Sequence, residues 1–405
     1  MSTTTVMAGD LVPTIYLIAT EESGDRLGGA LMRELRARLG ANVRFAGIGG
    51  HSMAGEGLVS LFPIEELSII GFAAVVQRLP MILKLIRRAA DDVLAARPDI
   101  LVIIDSPDFT HRVARRVRQR DPAIPIVDYV SPTVWAWRPG RARAMLGYVD
   151  HVLALLPFEP AEYRRLQGPP CSYVGHPLTE QFGSLRPNPA EQARREASPP
   201  VLLVLPGSRR SEVRHHAAAF GETLAQLRRD GVAFEAVLPT TPHLEALVRA
   251  AVASWEVQPR IVVGENDKRA AFRIAHAALA KSGTVTLELA IAGVPMVTAY
   301  RAGSLEVWIA RRVVRPGTVI LANLVIGEEV VPEFIQEDCV PEKLAPAVRD
   351  LLGDTPARRR QLAGFARIDG ILSTGAQTPS ACAADIVLDV MRHKGGDHHS
   401  ASSAD

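Results

Sequence analysis

Ile100-Leu-Val-Ile-Ile-Asp-Ser-Pro-Asp-Phe109 decides the fold reading. Ile100 to Ile104 are all apolar, the pattern of a parallel strand buried on both faces. Asp105, a Ser-Pro break and Asp108 follow, then Phe109 to Val117 with a helical pattern. In an open α/β sheet, ligands bind in the crevice beyond the strand ends. Asp105 stands one residue past the strand, where a helix cap is less natural, so it is a candidate catalytic group. Asp108 is placed to be the N-cap of the next helix.

The same strand–loop–helix unit recurs on both sides. Thr14 to Ala19 forms a first strand, followed by Thr20-Glu-Glu-Ser-Gly-Asp25 and an amphipathic helix, Arg26 to Leu39. Ser23 and Asp25 are candidate caps, and Gly24 admits close backbone approach. Glu21 lies at the strand end, where an ordinary βα loop is the alternative to a binding role. Val43 to Ile48 forms a strand turned by Gly49-Gly50-His51. No G-x-G-x-x-G opens the first helix, which argues against a dinucleotide cofactor.

Met81 to Arg97 reads as a helix. Upstream, Ile69, Ile70, Phe72, Val75 and Val76 sit close to Lys84, Arg87 and Arg88. That combination suits a membrane surface, and a core helix with a basic flank suits it equally. Ile124 to Val130 is another strand, ending in Ser131-Pro-Thr-Val-Trp-Ala-Trp-Arg138. Its two tryptophans and arginine either line a sugar or lipid pocket or plug the sheet edge. Val152 to Leu156 is a strand, and His176 in Gly175-His-Pro177 reads as structural.

Arg186 to Pro200, polar and Pro-rich, reads as an interdomain linker. A second α/β pattern begins at Val201 to Leu205 and runs into Pro206-Gly-Ser-Arg-Arg210. Gly207, Ser208 and Arg209 beyond that strand suit a phosphate. Further strands are read at 234–238, 261–263, 277–280 and 294–300. Ser282, Gly283 and Thr284 open a helix whose start favours an anion. Glu288, about one turn later, is placed for a ribose diol, with an exposed helical glutamate as the alternative. Ser304 to Val314 reads as a helix, Asn323 as part of a short connection, and Lys394 to Asp405 as a disordered tail.

The 405 residues predict two or three domains, and 46 basic against 44 acidic residues give no nucleic-acid footprint. Cys171, Cys339 and Cys382 form neither a metal spacing nor a disulfide framework. No run approaches the about 18 apolar residues of a membrane span, and residues 1 to 12 lack a signal peptide's pattern. The expected location is the cytoplasm.

Taken together, these runs resemble the lipid-A-disaccharide synthases, glycosyltransferase family 19 of Gram-negative lipid A biosynthesis. The resemblance rests on Glu21-Glu-Ser-Gly-Asp25, Leu67-Ser-Ile-Ile-Gly71, Ile104-Asp-Ser-Pro-Asp-Phe109, Tyr129 to Trp137, Leu155-Leu-Pro-Phe-Glu159, Val174-Gly-His-Pro177, Leu205-Pro-Gly-Ser-Arg209, Ser282-Gly-Thr284 with Glu288, and Leu321-Ala-Asn-Leu324. Thr20 departs from it, since the family often has Gly there. The resemblance implies a GT-B glycosyltransferase, two Rossmann-like α/β domains facing across a cleft, with the last helix packing back on the first domain. The expected boundaries are 13–185 for the acceptor and lipid side, 186–200 for the linker, 201–365 for the UDP-sugar side, 366–393 for the returning helices and 394–405 for the tail.

The implied reaction joins UDP-2,3-diacylglucosamine to 2,3-diacylglucosamine 1-phosphate with inversion, giving a β-1,6-linked disaccharide and UDP. The resemblance makes Asp105 and Arg209 catalytic. It assigns substrate or UDP binding to Glu21, Ser23, Gly207, Ser208, Ser282, Gly283, Thr284, Glu288 and Asn323. Neither cofactor nor metal is implied. The expected partners are the two acylated sugars and the inner face of the inner membrane, with a homodimer left open. A UDP-sugar 2-epimerase and a non-catalytic lipid-binding protein remain the alternatives.

Overall fold

The computed structural model describes residues 12–67, 72–303 and 320–401, without the side chains of 72–78 and 394–401. The chain forms two compact units, Met1–Pro177 with Thr374–Asp405, and Leu178–Ser373.

The first unit holds six strands, β1 (Thr14–Ala19), β2 (Arg44–Ile48), β3 (Ile100–Ile104), β4 (Ile126–Tyr129), β5 (His151–Ala154) and β6 (Cys171–Tyr173). All pair parallel in the order β2-β1-β3-β4-β5-β6. The apolar run of β3 is buried throughout. Its alternation divides it between two cores, because successive side chains leave opposite faces. Leu101 and Ile103 pack with Ile86, Val93, Val113 and Val117 of the flanking helices. Ile100, Val102 and Ile104 pack with Leu31, Met32 and Leu35 of helix Glu22–Leu39. Ala383, Ala384, Val387 and Leu388 of helix Pro379–Ala401 complete that second core, and Arg38 pairs with Asp385 at 2.6 Å. The C-terminal helix thus belongs to the first unit, as the GT-B expectation has it.

The second unit repeats the plan with β7 (Val201–Leu205), β8 (Glu235–Thr240), β9 (Arg260–Val263), β10 (Ala277–Lys281), β11 (Met296–Tyr300) and β12 (Glu333–Ile335). These are parallel in the order β12-β11-β10-β7-β8-β9. Leu202 and Val204 pack against Val213, Phe220 and Leu224 of helix Arg210–Arg229.

Several local expectations differ. Residues 186–200, read as a linker, contain helix Pro189–Glu196 with a full Asn188–Glu191 capping box. Its buried Arg195 donates to the carbonyls of Phe272, Arg273 and Ala292, which builds the stretch into the second unit. Residues 178–185 go the same way, because Arg269 donates to Gln181 and Arg273 to Ser184. Asp25 does not cap its own helix. Its carboxylate accepts the N–H groups of Gly50, Ser52 and Met53 at 2.7, 2.7 and 3.1 Å, capping helix His51–Gly55 from across the sheet edge. Asp108 lies inside the first turn of helix Pro107–Arg120, and Ser106 holds the N-cap position. Asn323 lies in a helix, Leu321–Ile326, rather than a connection. The last helix runs to Ala401, so residues 394–401 are helical rather than disordered. Ile69, Ile70 and the helix read at 304–314 lie outside the described residues.

Candidate active site

In each sheet the winding direction reverses once. β1 leads to β2 on one side and borders β3 on the other, and β7 leads to β8 while bordering β10. Adjacent loops splay apart at such a point and open a crevice at the strands' carboxyl ends. Ala19 pairs with Ile104, so the loops bearing Glu21, Ser23 and Asp105 are neighbours. Leu205 pairs with Ala280, which brings Gly207–Arg209 beside Lys281–Thr284. The sequence candidates therefore gather at the two switch points, with Asn323 as the exception.

Asp105 and Ser106 are both left-handed, φ 54° and 48°. Non-glycine residues there cost of order 1–3 kcal/mol each and persist only when their surroundings hold them. The restraints are visible. Asp105 Oδ1 accepts the Ser106 N–H at 2.7 Å, Thr110 Oγ1 donates to the Asp105 carbonyl at 2.7 Å, and the Asp105 N–H donates to Tyr129 O at 3.0 Å. The half-buried carboxylate is thus fixed with lone pairs to spare. Glu21 and Ser23 are exposed at the start of helix Glu22–Leu39, and neither supplies a side-chain cap. A Cβ on Gly24 would meet the Ile104 carbonyl at 3.4 Å, so this turn lies against the end of β3.

Behind Asp105 is a polar cluster absent from the sequence reading. Asp128 of β4 is fully buried, and Oδ2 lies 3.3 Å from Nε2 of His111. The His111 Nδ1 is 2.9 Å from the Tyr148 hydroxyl. Burial pushes the Asp128 carboxyl up, and the imidazole pulls the other way.

In the second unit, Gly207 has φ 129°, and a Cβ there would strike Glu212 at 2.4 Å. Only glycine fits that turn. The N–H groups of Ser208 and Arg209 do not stand open. Both donate to Oε2 of Glu212, at 2.9 and 3.2 Å, while Oε1 pairs with Lys281 Nζ at 3.1 Å. Burial pushes the Glu212 carboxyl up, but Lys281 and the Ser208 amide outweigh it and hold it below the usual carboxylate range. The Arg209 side chain is exposed and makes no hydrogen bond or ion pair among the described residues.

The anion site expected at Ser282–Thr284 is weaker than the sequence implied. The helix starts at Val285 and is seven residues long. Ser282 is buried, and its N–H donates to Ala299 O at 2.9 Å. The positive charge there comes from Lys281, whose ammonium would lie 3.3 Å from a Cβ on Gly283. Glu288 is neither exposed nor idle, pairing with Lys268 at 2.6 Å. A carboxylate has about four lone-pair sites, so capacity for a diol remains. Asn323 is 2% exposed and fully engaged. Its Nδ2 donates to Val331 O, and its Oδ1 accepts from Val330 and Val331 N–H. It clamps a loop rather than presenting its amide to a ligand. Sequence reasoning missed Glu212, Lys281 and Lys268, although Lys281 ends β10 as Asp105 follows β3.

The two-sheet architecture recurs in solved structures of low identity. The UDP-GlcNAc 2-epimerase from Neisseria meningitidis bound to UDP-GlcNAc aligns with TM-score 0.62 at 11% identity, covering 93% of this chain and 100% of that one. The glycotransferase of kitacinnamycin aligns with TM-score 0.58 at 16% identity, covering 94% and 99%. Both likenesses carry the GT-B fold alone. Sequence similarity goes further. A lipid-A-disaccharide synthase of Rhodopseudomonas palustris is 90% identical over 385 residues, 95% of this chain and 98% of its own length. The family model described as lipid-A-disaccharide synthetase matches residues 15–387, a span holding both switch points and every candidate site residue, and the chain belongs to that family.

Proposed function

We propose that the protein joins UDP-2,3-diacylglucosamine to 2,3-diacylglucosamine 1-phosphate, forming the β-1,6-linked lipid A disaccharide 1-phosphate and UDP. The acceptor 6-hydroxyl attacks the donor's anomeric carbon, and the bond to the UDP oxygen breaks with its electron pair going to the β-phosphate. The hydroxyl proton passes to Asp105 as general base. The α-linked donor becomes a β-linked product in one displacement. Arg209 and Lys281 stabilise the charge that grows on the leaving UDP, and Glu288 accepts from the ribose diol. Glu21 and Ser23 flank the acceptor side, Gly207, Ser208 and the Ser282–Thr284 turn shape the phosphate side, and Asn323 enters as a positioning residue.

The observation that carries this reading is the restrained left-handed Asp105 at the β1/β3 switch point, in a chain whose family match spans nearly its whole length. The protein works at the inner face of the inner membrane, where acylated substrates reside. Incubation with both acylated sugars tests the proposal, with disaccharide and UDP as the expected products. Epimerised UDP-sugar, or neither product, would refute it.

A further inference from the structure

The Ser131–Arg138 loop follows β4, the strand next to β3, and it is firmly built. Trp135 Nε1 donates to the buried Glu159 at 3.3 Å, and its ring meets Phe158 edge-on at 5.4 Å. Trp137 Nε1 donates to Thr133 Oγ1 at 2.8 Å. The loop begins and ends on left-handed residues, Val130 at φ 81° and Arg138 at φ 51°. A β-branched residue at such a φ is an outlier, and such strain concentrates at ligand sites.

Two cations stand by Trp137, Arg138 at the end of the loop and Arg141 in the helix that follows, Gly140–Met145. The Arg138 guanidinium lies 4.5 Å from the Trp137 ring centroid and that of Arg141 lies 5.6 Å away. Stacking orients a guanidinium fork without using its N–H groups. Arg138 is exposed and makes no hydrogen bond or ion pair among the described residues. Arg141 reaches Asp108 at only 3.4 Å, and that carboxylate is 79% exposed, so the pair is weak and readily exchanged. Asp108 is three residues from Asp105, which ties the pair of arginines to the candidate base.

We propose that Arg138 and Arg141, stacked on Trp137, form a phosphate-monoester site that receives the 1-phosphate of the acceptor sugar. The inference rests on the proposed reaction and adds to it how the acceptor is oriented. The acceptor attacks through O6, on the C6 arm borne by C5, and carries its phosphate on C1, so the two groups flank the ring oxygen at a restricted separation. A fork holding the phosphate therefore restricts where O6 can lie, and the proposed site has it held within reach of Asp105. The same chemistry would also bind a phospholipid headgroup, which the test must separate.

Calorimetry compares a short-chain diacylglucosamine 1-phosphate with its dephosphorylated counterpart, on the full chain and on Arg138→Gln and Arg138→Lys. The wild-type protein should prefer the phosphorylated sugar, and Arg138→Gln should cut that preference roughly 10- to 100-fold, the worth of a charge-assisted hydrogen bond. Arg138→Lys, keeping charge but not the fork, should fall between. UDP affinity in the same variants reports whether the protein is folded. An unchanged preference in Arg138→Gln overturns the site. If that variant instead loses binding to phosphatidylglycerol vesicles with its sugar preference intact, the arginines read lipid headgroups and the proposal is wrong. Failure of wild-type protein to make disaccharide, with the binding preference present, would refute the reaction and leave the site standing.

Discussion

The Glu212 carboxylate and the Lys281 ammonium stand 3.1 Å apart, joining the first turn of helix Arg210–Arg229 to the end of β10. The same carboxylate accepts the Ser208 and Arg209 N–H groups, so an internal anion already uses the amides that the proposed site would offer a pyrophosphate. In the proposed nucleotide site, Lys281 would be the cation already held in place for UDP. Lys281→Met should weaken UDP binding about tenfold, the scale of one charge-assisted bond to phosphate. Glu288→Ala should weaken it through the lost ribose contacts, and Arg209→Ala should lower turnover more than affinity, because leaving-group charge grows toward the transition state. Calorimetry with UDP beside steady-state rates distinguishes them. Unaltered affinity in both Lys281→Met and Glu288→Ala would remove these residues from the nucleotide site.

Asp105→Asn should keep the fold and UDP binding while lowering turnover by about 100-fold or more, the usual scale for a lost general base. Asparagine is the suitable replacement because it tolerates the left-handed backbone that Asp105 adopts at φ 54°. Asp108→Asn should be milder, since Asp108 is largely exposed and pairs loosely with Arg141. Turnover in Asp105→Asn close to that of the wild type would exclude Asp105 as the base.

The residues legible from sequence share one property, in that they sit at the end of a buried strand. Asp105 and Arg209 were visible because an unbroken apolar run fixes where the strand stops and the crevice starts. Glu212 and Asp25 were not, because each depends on a partner brought near by folding, Lys281 for Glu212 and the amide of Gly50, 25 residues away, for Asp25. The helix at Pro189–Glu196 was readable from Asn188 followed three residues later by Glu191, but its proline and charge content pointed to a linker. The burial of Arg195 depends on carbonyls nearly 80 residues downstream, which no local pattern encodes.

Helix Phe72–Ala96 divides along its length. Leu85, Ile86, Ala89 and Val93 are core residues. Ahead of them Leu79 and Met81 are 43% and 36% exposed, with Lys84 and Arg87 exposed beside them. Apolar side chains next to cations suit an anionic lipid surface, where each cation adds on the order of 1 kcal/mol. Binding to anionic vesicles should therefore be salt-sensitive. Joint replacement of Lys84 and Arg87 by Gln should weaken it roughly tenfold or more, and Leu79→Ser with Met81→Ser should weaken it further. Sedimentation with vesicles at low and high salt checks this, with UDP binding as the control for folding. Vesicle binding indifferent to salt and to all four changes would place the docking surface elsewhere.

Glu159 sets a pH dependence of stability. It is 3% exposed, and burial pushes its carboxyl from the ordinary 4.5 up to about 7, against the pull of the Leu156 amide, Ser131 and Trp135. Between those two values the folded protein keeps a proton that the unfolded chain has lost. Protons bound preferentially by the folded state make stability fall as pH rises. The contribution is therefore full below about pH 4.5, declines toward pH 7 and is level beyond it. Glu159→Gln removes the titration while leaving an acceptor for the Trp135 indole. The unfolding midpoint of the wild type, measured relative to Glu159→Gln, should drop as pH is raised from about 4.5 to 7 and then hold constant. The subtraction cancels groups such as Glu212, whose depressed carboxyl contributes stability with the opposite slope at lower pH. Parallel curves for the two proteins across that range would show that Glu159 is ionised throughout in the folded state, with the buried loop solvating its charge.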